Sequence, residues 1–123
     1  MAWAPVRAWC HDVPLAGMIE GVRMLHLLLL RYTGSERDAQ PYVAGHVRFL
    51  ERHHQQGTFL VSGQTVPSTE GGAILAHAVD RETVQRIVAE DPFVVAGVAT
   101  YTVTTIEPGR VHPALADLLG RTT

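Results

Sequence analysis

The 123-residue chain contains no lysine; all ten of its basic residues are arginine. That bias points to the base composition of the coding sequence and says little about mechanism. Cysteine is nearly absent. Cys10 stands alone, which excludes an intrachain disulfide and a cysteine-based metal cluster. Long apolar runs are missing as well, since a stretch such as Leu27–Leu30 is far too short to span a bilayer. Residues 1–23 lack the central apolar run of a signal peptide; with a single cysteine, the cytoplasm is the default compartment. Nor is there an excess of charge. The net charge is -2 with no long block of one sign, which argues against the basic face that nucleic-acid binding requires. Neither nucleic acid nor a membrane is expected as a partner.

What is present fits one folded domain. Hydrophobic residues make up 46% of the chain and charged residues 18%, the balance of a globular protein and not of a disordered one. A chain of this length buries only a small core, and pairing with another chain would enlarge it.

Residues 1–23 hold both tryptophans, Trp3 and Trp9, with Pro5 and Pro14, and show no clear period. They read as a loose N-terminal extension or an arm, with Met24 as an alternative natural start. Met24–Tyr32 is short and continuously apolar, as suits a central strand buried on both faces. Thr33–Gln40 is polar and reads as a loop. Pro41–Gln56 reads as a helix whose buried stripe is Val43, Val47, Leu50 and His54, with His46 leaning toward that face and Gly57 as the cap that follows. Gly45 costs about 1 kcal/mol against alanine inside a helix and would permit close approach beside His46. Thr58–Ser62 and Gly72–Val79 are the next strands. Asp80 caps a second helix, running through Glu90, that buries Val84, Ile87 and Val88. Val98–Ile106 is the fourth strand, and Pro113–Leu119 suggests a short terminal helix.

The order β-α-β-β-α-β is the ferredoxin-like split βαβ arrangement. It is an α+β fold in which two helices cover one face of a four-stranded antiparallel sheet. The other face needs a cover, because large exposed apolar patches are uncommon on monomers. A homodimer joined through its sheet faces meets that need.

Two residues stand out for chemistry. Asp91 precedes Pro92 and Phe93, and Pro92 turns Asp91 away from helical geometry, so the carboxylate falls at the mouth between a helix and a strand. The plain alternative is an ordinary Asp-Pro turn. His46 lies on the first helix and faces the same sheet. A carboxylate that holds an imidazole fixes its tautomer and favours its action as a base. Together they would form a general acid/base pair.

Gly45-His46-Val47-Arg48-Phe49-Leu50, then Leu60-Val61-Ser62-Gly63, then Asp91-Pro92-Phe93 and Ala96-Gly97 resemble the YciI-like family in order and spacing. Its members are dimeric α+β barrels related to muconolactone isomerase. The resemblance spans roughly Met24 to Glu107, inside a domain read as residues 24–110 and followed by a tail at 111–123. It implies that His46 and Asp91 are the active-site pair. It also implies chemistry of the lyase, isomerase or dehydrohalogenase type on a small organic substrate, since one family member acts by dehydrochlorination on chlorinated aromatics. The family often has proline after the glycine of the second strand; here it is Gln64, a departure at the pocket rim.

The expectation is a small enzyme with no cofactor and no metal. Ser62 and Gly63 are candidates to meet a substrate oxygen, or simply form a turn. Phe93 either lines the pocket or anchors its turn. Tyr32 and Arg31, at the end of the first strand, are candidate contacts for an anion or a phenol, although a strand-end arginine is usually solvated. His26 and His77 fall on strands. His53 and His54 are adjacent and point apart, and no metal-ligand spacing such as His-Glu-x-x-His occurs. Two other readings use the same pocket: a non-catalytic ligand-binding or accessory dimer, and a cofactor-free monooxygenase-like protein of a biosynthetic pathway.

Overall fold

The computed structural model describes residues 24–119. The expectations for residues 1–23, Cys10 among them, and for residues 120–123 lie outside the described residues. Four strands, β1 (Leu25–Tyr32), β2 (Phe59–Gln64), β3 (Gly71–His77) and β4 (Ala99–Ile106), form one antiparallel sheet in the order β2-β3-β1-β4. The helices are α1 (Glu36–Ala39), α2 (Val43–Gln55), α3 (Arg81–Val88), α4 (Pro92–Val95) and α5 (Pro113–Leu119). This is the split βαβ arrangement read from the sequence.

β1 is central, and its leucines divide between the two faces by simple alternation. Leu28 and Leu30 join the helix-side core, whereas Leu27 and Leu29 on the opposite face are only half-buried. Leu28 lies opposite Ile74 of β3 and Val103 of β4. Around it pack Phe49 of α2, Phe59, Ile74, Ala76, and Val84 and Val88 of α3. A second cluster, Leu30, Ala39, Phe93 and Ala99, sits toward the other end of β1. Tyr101 packs against both.

Three local features differ from the sequence reading. The polar stretch after β1 is not all loop: Ser35 caps α1 with a reciprocal box, accepting from Asp38 N–H while the Asp38 carboxylate accepts from Ser35 N–H. A 3₁₀ turn over Gln40–Tyr42 then leads into α2. Second, α3 stops at Val88, capped at its start by Asp80 Oδ1 accepting from Thr83 N–H at 2.8 Å, and Asp91 opens the separate helix α4. Third, the residues of α2 that enter the core are Phe49 and His53, whereas Val43 and Val47 stay exposed. The valine stripe faces a cavity instead of the sheet.

The glycine at the end of α2 behaves as expected. Gly57 has φ +84 and follows the Gln56 C-cap, in the left-handed position that favours glycine. Gly97 does the same after α4, with φ +76.

Candidate active site

Asp91 is fully buried, and three groups converge on its carboxylate. As the N-cap of α4 its backbone is extended, which lets Oδ1 accept from the N–H of Phe93 at 2.9 Å. Tyr101 of β4 donates its hydroxyl to Oδ2 at 2.6 Å. His46 Nδ1 lies 2.8 Å from Oδ2 and 3.0 Å from Oδ1. The cap that forms the turn also fixes the carboxylate.

The tautomer of His46 follows from this geometry. A nitrogen facing both oxygens of a carboxylate must carry the proton, so Nδ1–H donates and Nε2 is the ring's second site. Burial, then the neighbouring Asp91 charge and its hydrogen bond, push the Tyr101 hydroxyl far above the ordinary phenol range. Tyr101 therefore remains a donor to Asp91 throughout the neutral range.

Packing holds the imidazole plane. The His46 ring stacks on Phe93 with centroids 4.1 Å apart and an interplanar angle of 8°. Phe93 is thus both a core anchor and a pocket wall. Gly45 supplies the close approach between helices. A Cβ added there would lie 3.1 Å from Pro92 Cγ and 3.3 Å from Pro92 Cβ. The absence of a side chain lets α2 meet α4 directly beside His46 and Asp91.

His46 borders a cavity of about 270 Å³ between α2 and the sheet. Its walls include Val43, Val47 and Leu50 of α2, Tyr32 and Leu30 of β1, and Tyr101 and Phe93. Ser62, Gly63 and Gln64 of β2 line it, with Glu36 and Gln40 also contributing. Burial, and secondarily the charge of Glu36, raise the Tyr32 hydroxyl above its ordinary value, so it stays protonated at the wall. Among the described residues, a Cβ on Gly63 would meet nothing within 4 Å.

Arg31 is not brought to this site. It points to the face opposite Tyr32 and Leu30, and its exposed guanidinium lies 4.0 Å from Glu70. The unbroken run of leucines in β1 concealed that phase. Tyr101 was not singled out in the sequence. The available signal was its parity with Ala99 and Val103 on β4, which puts it on the same face as the cavity. Of the other histidines, His26 is fully buried, with Nε2 donating to the Val79 carbonyl at 2.7 Å and Nδ1 paired with Thr105 Oγ1 at 2.9 Å. His77 Nε2 reaches the Gly57 carbonyl at 2.9 Å. Both hold the framework together. Among the described residues, no group of three histidine, cysteine, aspartate or glutamate side chains is placed to hold a metal ion. No helix among them is long and apolar enough to cross a membrane.

Fold and site together define a ferredoxin-like α+β domain with a buried His–Asp–Tyr cluster beside a small cavity. The YCII-related domain matches residues 24–107, and the chain belongs to that family. Among solved structures it is similar to the 5-chloro-2-hydroxyhydroquinone dehydrochlorinase TftG from Burkholderia phenoliruptrix, determined in complex with 2,5-dihydroxybenzoquinone. The two share 21% identity with a TM-score of 0.54, over 66% of this chain and 90% of that one. No curated protein matches the chain.

Proposed function

We propose that this protein is a small cofactor-independent enzyme in which His46 acts as general acid/base and Asp91 orients it. The observation that carries the reading is the convergence of three donors on the buried Asp91 carboxylate. This arrangement commits His46 Nδ1 to Asp91 and leaves Nε2 for a substrate proton. A positioned histidine of this kind contributes about 10²- to 10⁴-fold to a proton-transfer step.

The cavity indicates the substrate class. Its volume is just under the roughly 300–1,000 Å³ of pockets for drug-sized ligands, which suits a single substituted ring. Among the described residues that line it none is arginine, and Glu36 adds negative charge. A neutral or phenolic ring fits those walls better than a carboxylate or phosphate ester. Elimination of HCl from a chlorinated hydroquinone needs a base for the proton and an exit for chloride. The electrons rearrange within the substrate, so no external oxidant is required. The substrate in TftG's name, 5-chloro-2-hydroxyhydroquinone, is a chlorinated phenolic ring of that class.

A homodimer through the sheet faces remains part of the proposal. Val61 and Ile106 are exposed, and Leu27, Leu29 and Leu75 are only half-buried. Pairing would bury this apolar surface. Sedimentation should then give a dimer mass, and a stable monomer would oppose this part alone.

The test of function is chloride release from 5-chloro-2-hydroxyhydroquinone by the wild type and by His46→Gln at equal folded concentration. The reading predicts release by the wild type and a loss of about 10²-fold or more in the variant. Equal release from both would overturn the acid/base role. Binding without release would favour the ligand-binding alternative.

A further inference from the structure

A β-bulge in β2 and a second histidine point to another element of the cavity. Phe59 is buried in the helix-side core, opposite Ala76. Strict alternation from there would turn Val61 inward and Ser62 outward. The register instead shifts between Phe59 and Val61, so that Val61 lies opposite Leu75 and Ser62 opposite Ile74. Ile74 is a core residue on the helix side. The bulge therefore reverses the faces beyond it, as an extra residue in one strand does. Ser62 is turned to the cavity wall, and Val61 is left 61% exposed.

The re-aimed hydroxyl is also held. His54 Nε2, on the last turn of α2, lies 2.8 Å from Ser62 Oγ. The His54 ring stands edge-on to Phe59, with centroids 5.9 Å apart at 83°. Hence the imidazole has a packed orientation as well as a partner. Its bond occupies one side of the serine hydroxyl, and the hydroxyl's remaining hydrogen-bonding capacity is left at the cavity wall.

We propose that Ser62 anchors an oxygen substituent of the ligand, a ring hydroxyl or a quinone carbonyl, and that His54 is the positioning residue that orients it. The inference rests on the acid/base reading of the same cavity. It gives that cavity two separate functions: His46 moves the proton, and the His54–Ser62 pair sets where the ring lies.

The experiment titrates the full chain with 2,5-dihydroxybenzoquinone. It compares wild type, Ser62→Ala, His54→Leu, His54→Gln and the Ser62→Ala/His54→Leu double variant, with urea midpoints measured in parallel. Loss of one hydrogen bond predicts Kd about 3- to 10-fold weaker for Ser62→Ala and for His54→Leu. His54→Gln, whose amide nitrogen replaces Nε2, should bind within about threefold of wild type, since only the bond's geometry changes. The double variant should be no weaker than the worse single variant, because both changes remove one coupled interaction. A His54→Leu variant with a lowered urea midpoint but unchanged Kd would show that the pair only clips α2 to β2, and would overturn the inference. So would absence of binding by the wild type. Chloride release by His46→Gln separates the two ideas. If Ser62→Ala and His54→Leu bind normally while His46→Gln is inactive, the anchor is wrong and the acid/base reading stands. The anchor stands without the acid/base role if Kd depends on Ser62 and His46→Gln turns over normally.

Discussion

His46 and His53 lie seven residues apart on α2, two turns along nearly the same side, yet they have opposite surroundings. His46 keeps 17% of its side chain exposed, at a cavity, with a fully buried carboxylate on Nδ1 and an aromatic ring against its face. His53 is buried among Phe49 and Phe59, and among the described residues neither ring nitrogen has a hydrogen-bond partner. Its Nε2 is 3.5 Å from Glu90 Oε1, an ion-pair distance without hydrogen-bond geometry. The difference teaches where polar investment has been made in this small domain. Around His46 a buried polar network is complete, and completeness is what makes such a network hold one geometry. Around His53 a polar ring occupies a core position at a desolvation cost that the half-exposed Glu90 carboxylate, 3.5 Å away, offsets only in part.

The comparison can be broken most decisively at His46. His46→Ala should lower turnover of a chlorinated hydroquinone by about 10²- to 10⁴-fold at equal folded concentration, and should also lower the urea midpoint, because it takes one donor from the buried Asp91 carboxylate. An equal fall in activity for His53→Ala, in a folded protein, would erase the distinction between the two histidines. Tyr101→Phe comes next. It removes one donor from Asp91 and keeps the ring, so activity should fall by about 3- to 10-fold, as expected for one hydrogen bond. Activity equal to wild type would mean that two donors suffice to hold the carboxylate.

At His53 the expected effect is on stability. His53→Leu removes a buried polar ring whose contact is a half-exposed carboxylate 3.5 Å away, and should raise stability by about 1–3 kcal/mol in urea denaturation, with activity unchanged. Burial, and then the charge of Arg52, lower the His53 pKa from its ordinary value of 6.5, despite the opposing influence of Glu90. Above about 6.5 both folded and unfolded chains carry a neutral ring. As pH falls through that value, the unfolded chain takes up a proton that the folded chain resists, so stability declines. The variant should lose less stability than wild type between neutral and mildly acid pH; parallel curves would show that His53 is not the group responsible.

The smallest effect is expected at Gly45. Alanine gains about 1 kcal/mol of helix propensity, but its methyl would press on Pro92 at 3.1 Å. Gly45→Ala should therefore alter the thermal midpoint by only a few degrees, about 1 kcal/mol or less, while measurably lowering activity as α2 moves off α4. A stabilised and fully active variant would show that this close approach does not set the His46–Asp91 distance.

Much of this was legible in the sequence because strands, caps and the Asp-Pro turn are local. The helix caps at Asp80 and Gly57 and the four strands required only propensity and periodicity. The pairing of His46 with Asp91 required more: the split βαβ order set both toward one face of the sheet, and the resemblance to the YciI-like family singled them out as a pair. The rest depended on phase and register. Val43, Val47 and Leu50 have the spacing of a core stripe, and a helix lining an apolar cavity shows the same spacing as one lying on a sheet. The β2 bulge leaves no unambiguous mark on Phe59–Gln64, so the pairing of Ser62 with His54 was hidden. Tyr101 was hidden too, since only strand register shows that its hydroxyl reaches Asp91.

The most direct test of the central claim is the protonation of the His46 ring, read from its ¹⁵N chemical shifts and two-bond couplings in the free protein above neutral pH. The account predicts a proton on Nδ1, directed at Asp91, and a bare Nε2. In Asp91→Asn that preference should weaken or reverse, because an amide can also donate. A wild-type ring protonated on Nε2 would contradict the account, since the site would then present no base to the cavity.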